Sequence, residues 1–419
     1  MNTKPSTSDA FLITGEGVDA VAPGLWIVRG QGNTFVAEID AGLVVIDSGP
    51  GGKVTRGMID SLRTVSDRPV HAICFSHGHI GYNSGLPLWL EHARQRGDAP
   101  PRVIAHANLP RRAARYRETM ALQERMAELQ FRREPGTMTG KFPVHDPAEV
   151  FDTALVLGDL NGRHVVLIWS PSETDDAVAL WCPAERVLYG GPAVIDSIPN
   201  LGTPFRTQRD TVRWAGTLER LAHLRPQRVV REFGPCIEGE QEVQRVLLDT
   251  ARALRWVRDE VVRLMNQGLG EREILEAVRF PADLFAQPWM QPTYGDPHWI
   301  VRDVYRSENG WWDRNPTQLH PAAPSAVSAA LARALTDKPA VLAEARRLAD
   351  RSEWQLALHV VDLLALLDVD DPDVHTARQL KAHWLRRRAS DVRSYVSKSL
   401  YHGCADLLEK GQQARFGIH

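Results

Sequence analysis

Hydrophobic and polar positions alternate along Leu25-Trp26-Ile27-Val28-Arg29 and along Thr34-Phe35-Val36-Ala37-Glu38-Ile39, the pattern of half-exposed strands. Gly42-Leu43-Val44-Val45-Ile46-Asp47 is instead almost continuously apolar, which predicts an inner strand covered on both faces. Ser48-Gly49-Pro50-Gly51-Gly52 then turns the chain into a helix at 53–65. Similar strand-like runs recur at Val70–Phe75, Arg102–His106, His164–Trp169, Ala177–Trp181, Arg186–Tyr189 and Arg228–Glu232. Helical patterns lie between several of them, at Leu86–Arg96, 108–130 and 207–223. Strands alternating with helices predict a layered α/β domain over 12–242.

From 243 the pattern becomes helical. Val243–Gln267 is a long amphipathic run ending before Gly268, and Glu271–Val278 gives a second helix. A Trp- and Pro-rich stretch follows, completing a connecting part over 243–321. Alanine- and leucine-rich helices are predicted at 325–335, 338–350, 353–367, 371–388 and 390–409, so 322–419 reads as an all-α domain. Paired helices with short breaks suit a helical-repeat module or a plain bundle.

Composition narrows the picture. A chain of 419 residues exceeds the usual span of one core, so two or three domains are expected. With 43% apolar residues it can bury real cores, and a net charge of -2 gives no reason to expect nucleic acid or a membrane surface as partner. Cys74, Cys182, Cys236 and Cys404 form no C-x-x-C pair, which suits a reduced compartment. Met1–Ala10 lacks the apolar run of a signal peptide, and no run of about 18 apolar residues occurs. The expectation is a soluble cytoplasmic protein.

Ser76-His77-Gly78-His79 directly follows a predicted inner strand. In an extended segment, residues i and i+2 fall on one side, so His77 and His79 can reach one ion; they can equally be polar loop residues. Asp47 either caps its turn or orients one imidazole through a hydrogen bond. Glu173, Asp175 and Asp176 follow another strand, as a solvated turn or a ligand cluster. Asn200 and Arg206 read either as anion-binding groups or as a loop Asn and a surface Arg. Glu232 is a possible further ligand if its loop turns inward, or an ion-pair partner of Arg231. Trp289, Tyr294 and Trp299 either form a seam between domains or line a cavity mouth. His298 and His320 are read as structural.

The order strand-Asp47, strand-Ser-His-Gly-His and Ser172-Glu173-Thr174-Asp175-Asp176 resembles the metallo-β-lactamase superfamily, and more narrowly its alkylsulfatase-like branch. Tyr305 to Pro321, with Gly310-Trp311-Trp312-Asp313-Arg314-Asn315-Pro316, is similar to the signature opening that branch's helical dimerisation domain. The resemblance implies an αββα sandwich followed by an all-α, helical-repeat-like dimerisation domain, in a homodimer. It also implies that the branch's usual C-terminal sterol-carrier-like domain is absent.

Against the family pattern, two metal-binding groups are replaced by Gly81 and Tyr82. Ala177 ends the acidic turn in place of a histidine, Pro192 replaces a bridging carboxylate, and Phe233 a last histidine. The resemblance therefore implies loss of the second metal. His77, His79 and Glu173 remain as a set for at most one Zn, Fe or Mn ion, with Glu232 possible. Asp175, Asp176 and Tyr82 are the candidate acid–base groups, and Asn200, Arg206, Phe233 and Trp289 the candidate substrate contacts. The expected function is a divergent hydrolase-like enzyme acting on a small organic anion or ester-like molecule. The alternatives are metal-free chemistry and a non-catalytic binding or scaffold protein.

Overall fold

The computed structural model describes residues 13–413; Met1–Ala10 and the expected domain start at 12 lie outside the described residues. Its first unit is built on two sheets. One runs in chain order: β1 (Val18–Ala22), β2 (Leu25–Gly30), β3 (Gly32–Ile39), β4 (Gly42–Ile46), β5 (Val70–Cys74), β6 (Arg102–His106) and β7 (Glu149–Phe151). β1 to β4 are joined as antiparallel neighbours, and β4 to β7 as parallel ones. The change falls at β4, where the crossover helix α1 (Gly52–Arg63) first becomes necessary.

The second sheet orders as β13 (Ile237–Glu238), β12 (Arg228–Val230), β11 (Val187–Tyr189), β10 (Val178–Cys182), β9 (Val165–Trp169) and β8 (Ala154–Leu157). Side-chain parity sets the layers. Val44 and Ile46 of β4 face the other sheet, where Leu167, Leu180 and Tyr189 meet them. Leu43 and Val45 face outward, against Met58 and Leu62 of α1 and Trp89 of α2 (Leu86–Arg96). This two-sided burial is why β4 is apolar without alternation. On the outer face of the second sheet, Leu188 and Val229 pack against Trp214 and Leu218 of α5 (Thr211–His223) and against α6 (Glu240–Asn266). Each such buried side chain contributes roughly 1.5–3 kcal/mol. The layers are helix, sheet, sheet, helix: an αββα sandwich.

The predicted helix at 108–130 is two helices, α3 (Leu109–Glu118) and α4 (Met120–Gln130), parted at Thr119. The first unit comprises 13–121, 139–291 and 296–308, and the second 122–138, 292–295 and 309–413. This division differs from the expected boundary at 242. The apolar face of α6 completes the core over the second sheet, so the helix belongs with the first unit. The first unit also holds α7 (Glu271–Ala277), α8 (Ala282–Phe285) and most of α9 (Pro297–Asn309).

The second unit carries α10 (Pro324–Ala334), α11 (Lys338–Asp350), α12 (Trp354–Ala365), α13 (Pro372–Asp391) and α14 (Tyr395–Glu409). From α11 on, each helix packs on the next around Val361, Leu364, Val374 and Trp384. No helix among the described residues is long and apolar enough to cross a membrane.

Candidate metal centre

Two loops leave the ends of β4 and β5 and close on each other. Gly85 N donates to Gly49 O at 2.9 Å, and a Cβ at Gly85 would lie 2.3 Å from Ser48 O, so only glycine allows this approach. Trp89 Nε1 and Thr55 Oγ1 both donate to Ser48 O. Asp47 is buried and takes a positive φ of 62° at the end of β4, a conformation short polar side chains tolerate. Its Oδ1 accepts from Ser76 N at 2.8 Å and from Asn83 Nδ2 at 2.9 Å, and its Oδ2 accepts from Ser76 Oγ. Burial pushes the Asp47 pKa up, while His77 and the three donors pull the other way.

Ser76 Oγ lies 2.8 Å from His77 Nδ1. The hydroxyl's single proton goes to Asp47, so His77 Nδ1–H donates to Ser76 and Nε2 keeps its lone pair. His77 Nε2 in turn lies 2.8 Å from His79 Nδ1. Glu173 Oε2 is 3.9 Å from the same His79 nitrogen. The ligand atoms of His77, His79 and Glu173 all lie within 4.8 Å of one another, and among the described residues no other His, Cys, Asp or Glu group converges in this way. Burial lowers the pKa of both histidines; for His79, the neighbouring His77, Arg209, Arg206 and Arg112 lower it further. Neutral imidazoles and a carboxylate fit one divalent ion, once His79 shifts its proton to Nε2.

Glu173 is held from its other side. Arg209 Nη1 and Asn200 Nδ2 each lie 2.8 Å from Oε1. The Arg209 side chain is 5% exposed. Asn200 Oδ1 accepts from Thr203 Oγ1, and Arg209 Nη1 also reaches Asn200 O. Asn200 thus helps to orient Glu173.

Tyr82 stands beside the histidines. The Tyr82 ring packs edge-on to His77 at 4.5 Å between centroids. Glu232 is buried and is not among the three converging donors. Burial raises its pKa well above 4.5, the Glu173 charge adds to this, and a hydrogen bond with the Tyr82 hydroxyl opposes it. Ala177 is fully buried, Pro192 is buried in a 3-10 turn, and Phe233 packs over Gly32.

A folded state that keeps the Glu232 proton gains stability below about 4.5 and loses it as pH rises through the folded pKa. For the metal-free protein, Glu232→Gln is therefore expected to raise Tm relative to the parent by an amount that grows from pH 5 to pH 8. A pH-independent difference in thermal melts would contradict this.

The two aspartates of the acidic turn are held by arginines. Arg112 pairs with both Asp175 at 2.6 Å and Asp176 at 3.0 Å, and Arg111 also clamps Asp175. Burial alone would raise the Asp175 pKa, but the Arg112 and Arg111 contacts bring it below the usual value. Asp176 is fully buried over Gly78, where a Cβ would lie 2.7 Å from its Oδ2. Asp176 thus packs against the histidine loop at Gly78. Arg206 is half-buried and near enough to His79 to lower its pKa.

Trp289 is buried in the core around α6, with Arg245 stacked 4.5 Å over its ring, and is not brought to the histidines. Burial pushes the Cys74 and Cys236 thiols up, so neither is an activated nucleophile. Sequence reasoning missed Arg209, Arg112, Ser76 and Asn83. For Ser76 the available signal was its place between the strand and His77.

An αββα sandwich with a His-x-His loop and a carboxylate at its strand ends defines a metallohydrolase-like protein. The metallo-β-lactamase superfamily model matches residues 27–232, and the alkyl sulfatase dimerisation model residues 270–411. The chain belongs to the metallo-β-lactamase superfamily, in its alkylsulfatase-like branch. A linear primary-alkylsulfatase of Pseudomonas sp. (strain ATCC 19151) is 27% identical over 368 residues, covering 84% of this chain and 69% of that protein. An (R)-specific secondary-alkylsulfatase of Pseudomonas sp is 23% identical over 94% of this chain and 63% of its own length. The solved structure of a stereoselective inverting sec-alkylsulfatase from Pseudomonas sp. shares the fold, with a TM-score of 0.80 at 22% identity over 94% of this chain and 66% of that one. The chain thus spans about two thirds of the length of these relatives.

Proposed function

We propose that the protein is a divergent metallo-β-lactamase-fold enzyme that cleaves a small anionic organic ester, using at most one metal held by His77, His79 and Glu173. The observation that carries this is the convergence of those three donors. The alkylsulfatase relatives make a sulfate ester the first substrate class to test. A single divalent ion there would supply Lewis acidity toward the ester oxygens. The Asp47–Ser76 pair fixes His77, and Arg209 with Asn200 fixes Glu173. Of the acid–base candidates, Tyr82 lies directly on the histidine rings, with Glu232, whose pKa burial raises, hydrogen-bonded to it. In this reading the Tyr82 hydroxyl would hand a proton to a leaving oxygen.

With metal added, the protein is expected to hydrolyse a small alkyl sulfate, whose departing alkoxide needs a proton, and Tyr82→Phe to lower kcat about 10²-fold without losing metal. No turnover of any sulfate, phosphate or carboxylate ester in a metal-loaded screen would refute the enzyme reading. One observation favours the alternative, a metal-free binding protein: Arg209 and Asn200 already satisfy one Glu173 oxygen.

The dimerisation match at 270–411 supports a homodimer. Within the second unit, Trp311 is 76% exposed, and Val327 and Leu331 of α10 are also exposed, apolar surface a partner would cover. Light scattering at micromolar concentration is expected to give a dimer's mass; a monomer's would refute it.

A further inference from the structure

Glu173 belongs to two places at once. Its Oε2 faces His79, and the residue also lines a cavity of about 390 Å³. Five arginines line that cavity: Arg111, Arg112 and Arg115 from α3, and Arg209 and Arg213 around the start of α5. Arg111 and Arg115 are one turn apart, so α3 presents them on one face. Three carboxylates face them, from Glu173, Asp175 and Asp210. The rest of the lining is serine, threonine and glutamine, with no aliphatic or aromatic side chain.

The pairing leaves an excess of donors. Arg111 and Arg112 are taken by Asp175, and Arg209 by Glu173. Arg213 lies 3.5 Å from Asp210 with both side chains about half exposed, a contact of little strength. Arg115 has no ion pair among the described residues; its guanidinium lies 5.5 Å from the Tyr116 ring. An alkyl chain would find no apolar partner here and would strip water from guanidinium groups. An oxyanion would meet forked donors suited to it.

We propose that this cavity binds a second anionic group, such as a carboxylate, carried by the same small molecule whose ester sits at His77, His79 and Glu173. The substrate class is then a compact, hydrophilic dianion, not a long-chain alkyl ester. This rests on those three residues being the reaction centre.

The test compares 4-sulfooxybenzoate with phenyl sulfate, which lacks the carboxylate, by titration calorimetry on the full-length metal-loaded protein at low salt. The carboxylated probe is expected to bind at least about tenfold tighter. In the Arg115→Met, Arg213→Met double variant that preference is expected to vanish, with phenyl sulfate affinity unchanged. Both side chains are partly exposed, so the fold is expected to survive their loss. Equal affinities in the parent, no binding of either probe, or a preference that persists in the variant would overturn the proposal. Turnover of both probes with equal kcat/KM would overturn the second-anion site and leave the proposed reaction standing. A tenfold preference without turnover would do the reverse.

Discussion

Purified without chelators, the protein is expected to carry about one equivalent of divalent metal per chain, and His77→Ala to carry none. Two imidazoles and one carboxylate suffice to hold one ion with positions left for substrate. Among the described residues a second ion has no comparable set. Gly81, Ala177 and Pro192 offer no side-chain donor, Phe233 packs over Gly32, and the Tyr82 ring stands against His77. Removing one of three ligands is expected to weaken binding roughly 10²- to 10⁴-fold. Because burial lowers both histidine pKa values below 6.5, protons compete poorly, and occupancy is expected to stay level from pH 8 to pH 6.5 and to fall only below that. Elemental analysis with circular dichroism on the same samples checks both points. Two equivalents, or no metal in a well-folded parent protein, would each refute the mononuclear centre.

The parts of this site that were legible in the sequence lie where local chain direction places them. Asp47 ends a run buried on both sides, and His77 and His79 follow another such strand by three and five residues, so strand pattern and donor type pointed to one place. Glu173 was less legible: an acidic turn after a strand is usually solvated, and only the family resemblance separated it from Asp175 and Asp176. What selects among the three acids is a set of arginines distant in sequence. Arg112 reaches back from α3 to Asp175 and Asp176, and Arg209 takes Glu173 across 36 positions. Nothing local marks which arginine of an arginine-rich helix turns inward.

The fold shows the same division. Long or strongly apolar elements were predicted within a few residues, whereas β1, β7, β8 and β13 were missed. Three of these have two to four residues, too few for a period to register. The Trp- and Pro-rich stretch hid helix α9, and the aromatic Trp289 read as a cavity residue although it packs the core beneath Arg245. Composition gives an aromatic residue's appetite for burial, not the element it will be buried against.

Asp47→Asn is expected to fold almost as well as the parent and yet bind metal roughly 10- to 100-fold more weakly. The argument turns on one proton. In the parent, Asp47 Oδ2 can only accept, so Ser76 Oγ–H points to it and the Ser76 oxygen receives His77 Nδ1–H. That leaves His77 Nε2 unprotonated and facing His79. Asparagine tolerates the positive φ at 47 and keeps an acceptor oxygen for Ser76 N and Asn83 Nδ2. Its amide, however, presents donors to Ser76 Oγ. The hydroxyl must then donate toward His77 Nδ1, which moves the imidazole proton to Nε2, the nitrogen an ion requires bare.

Asp47→Ala separates this effect from simple loss of structure. Alanine abandons three hydrogen bonds and sits poorly at φ 62°, and is expected to lose roughly 3–5 kcal/mol of stability. Thermal melts paired with metal titration distinguish the two variants. Parent-like metal affinity in Asp47→Asn would show that the Asp47–Ser76 relay does not set the His77 tautomer. A loss of affinity confined to Asp47→Ala would assign Asp47 to holding the loop alone.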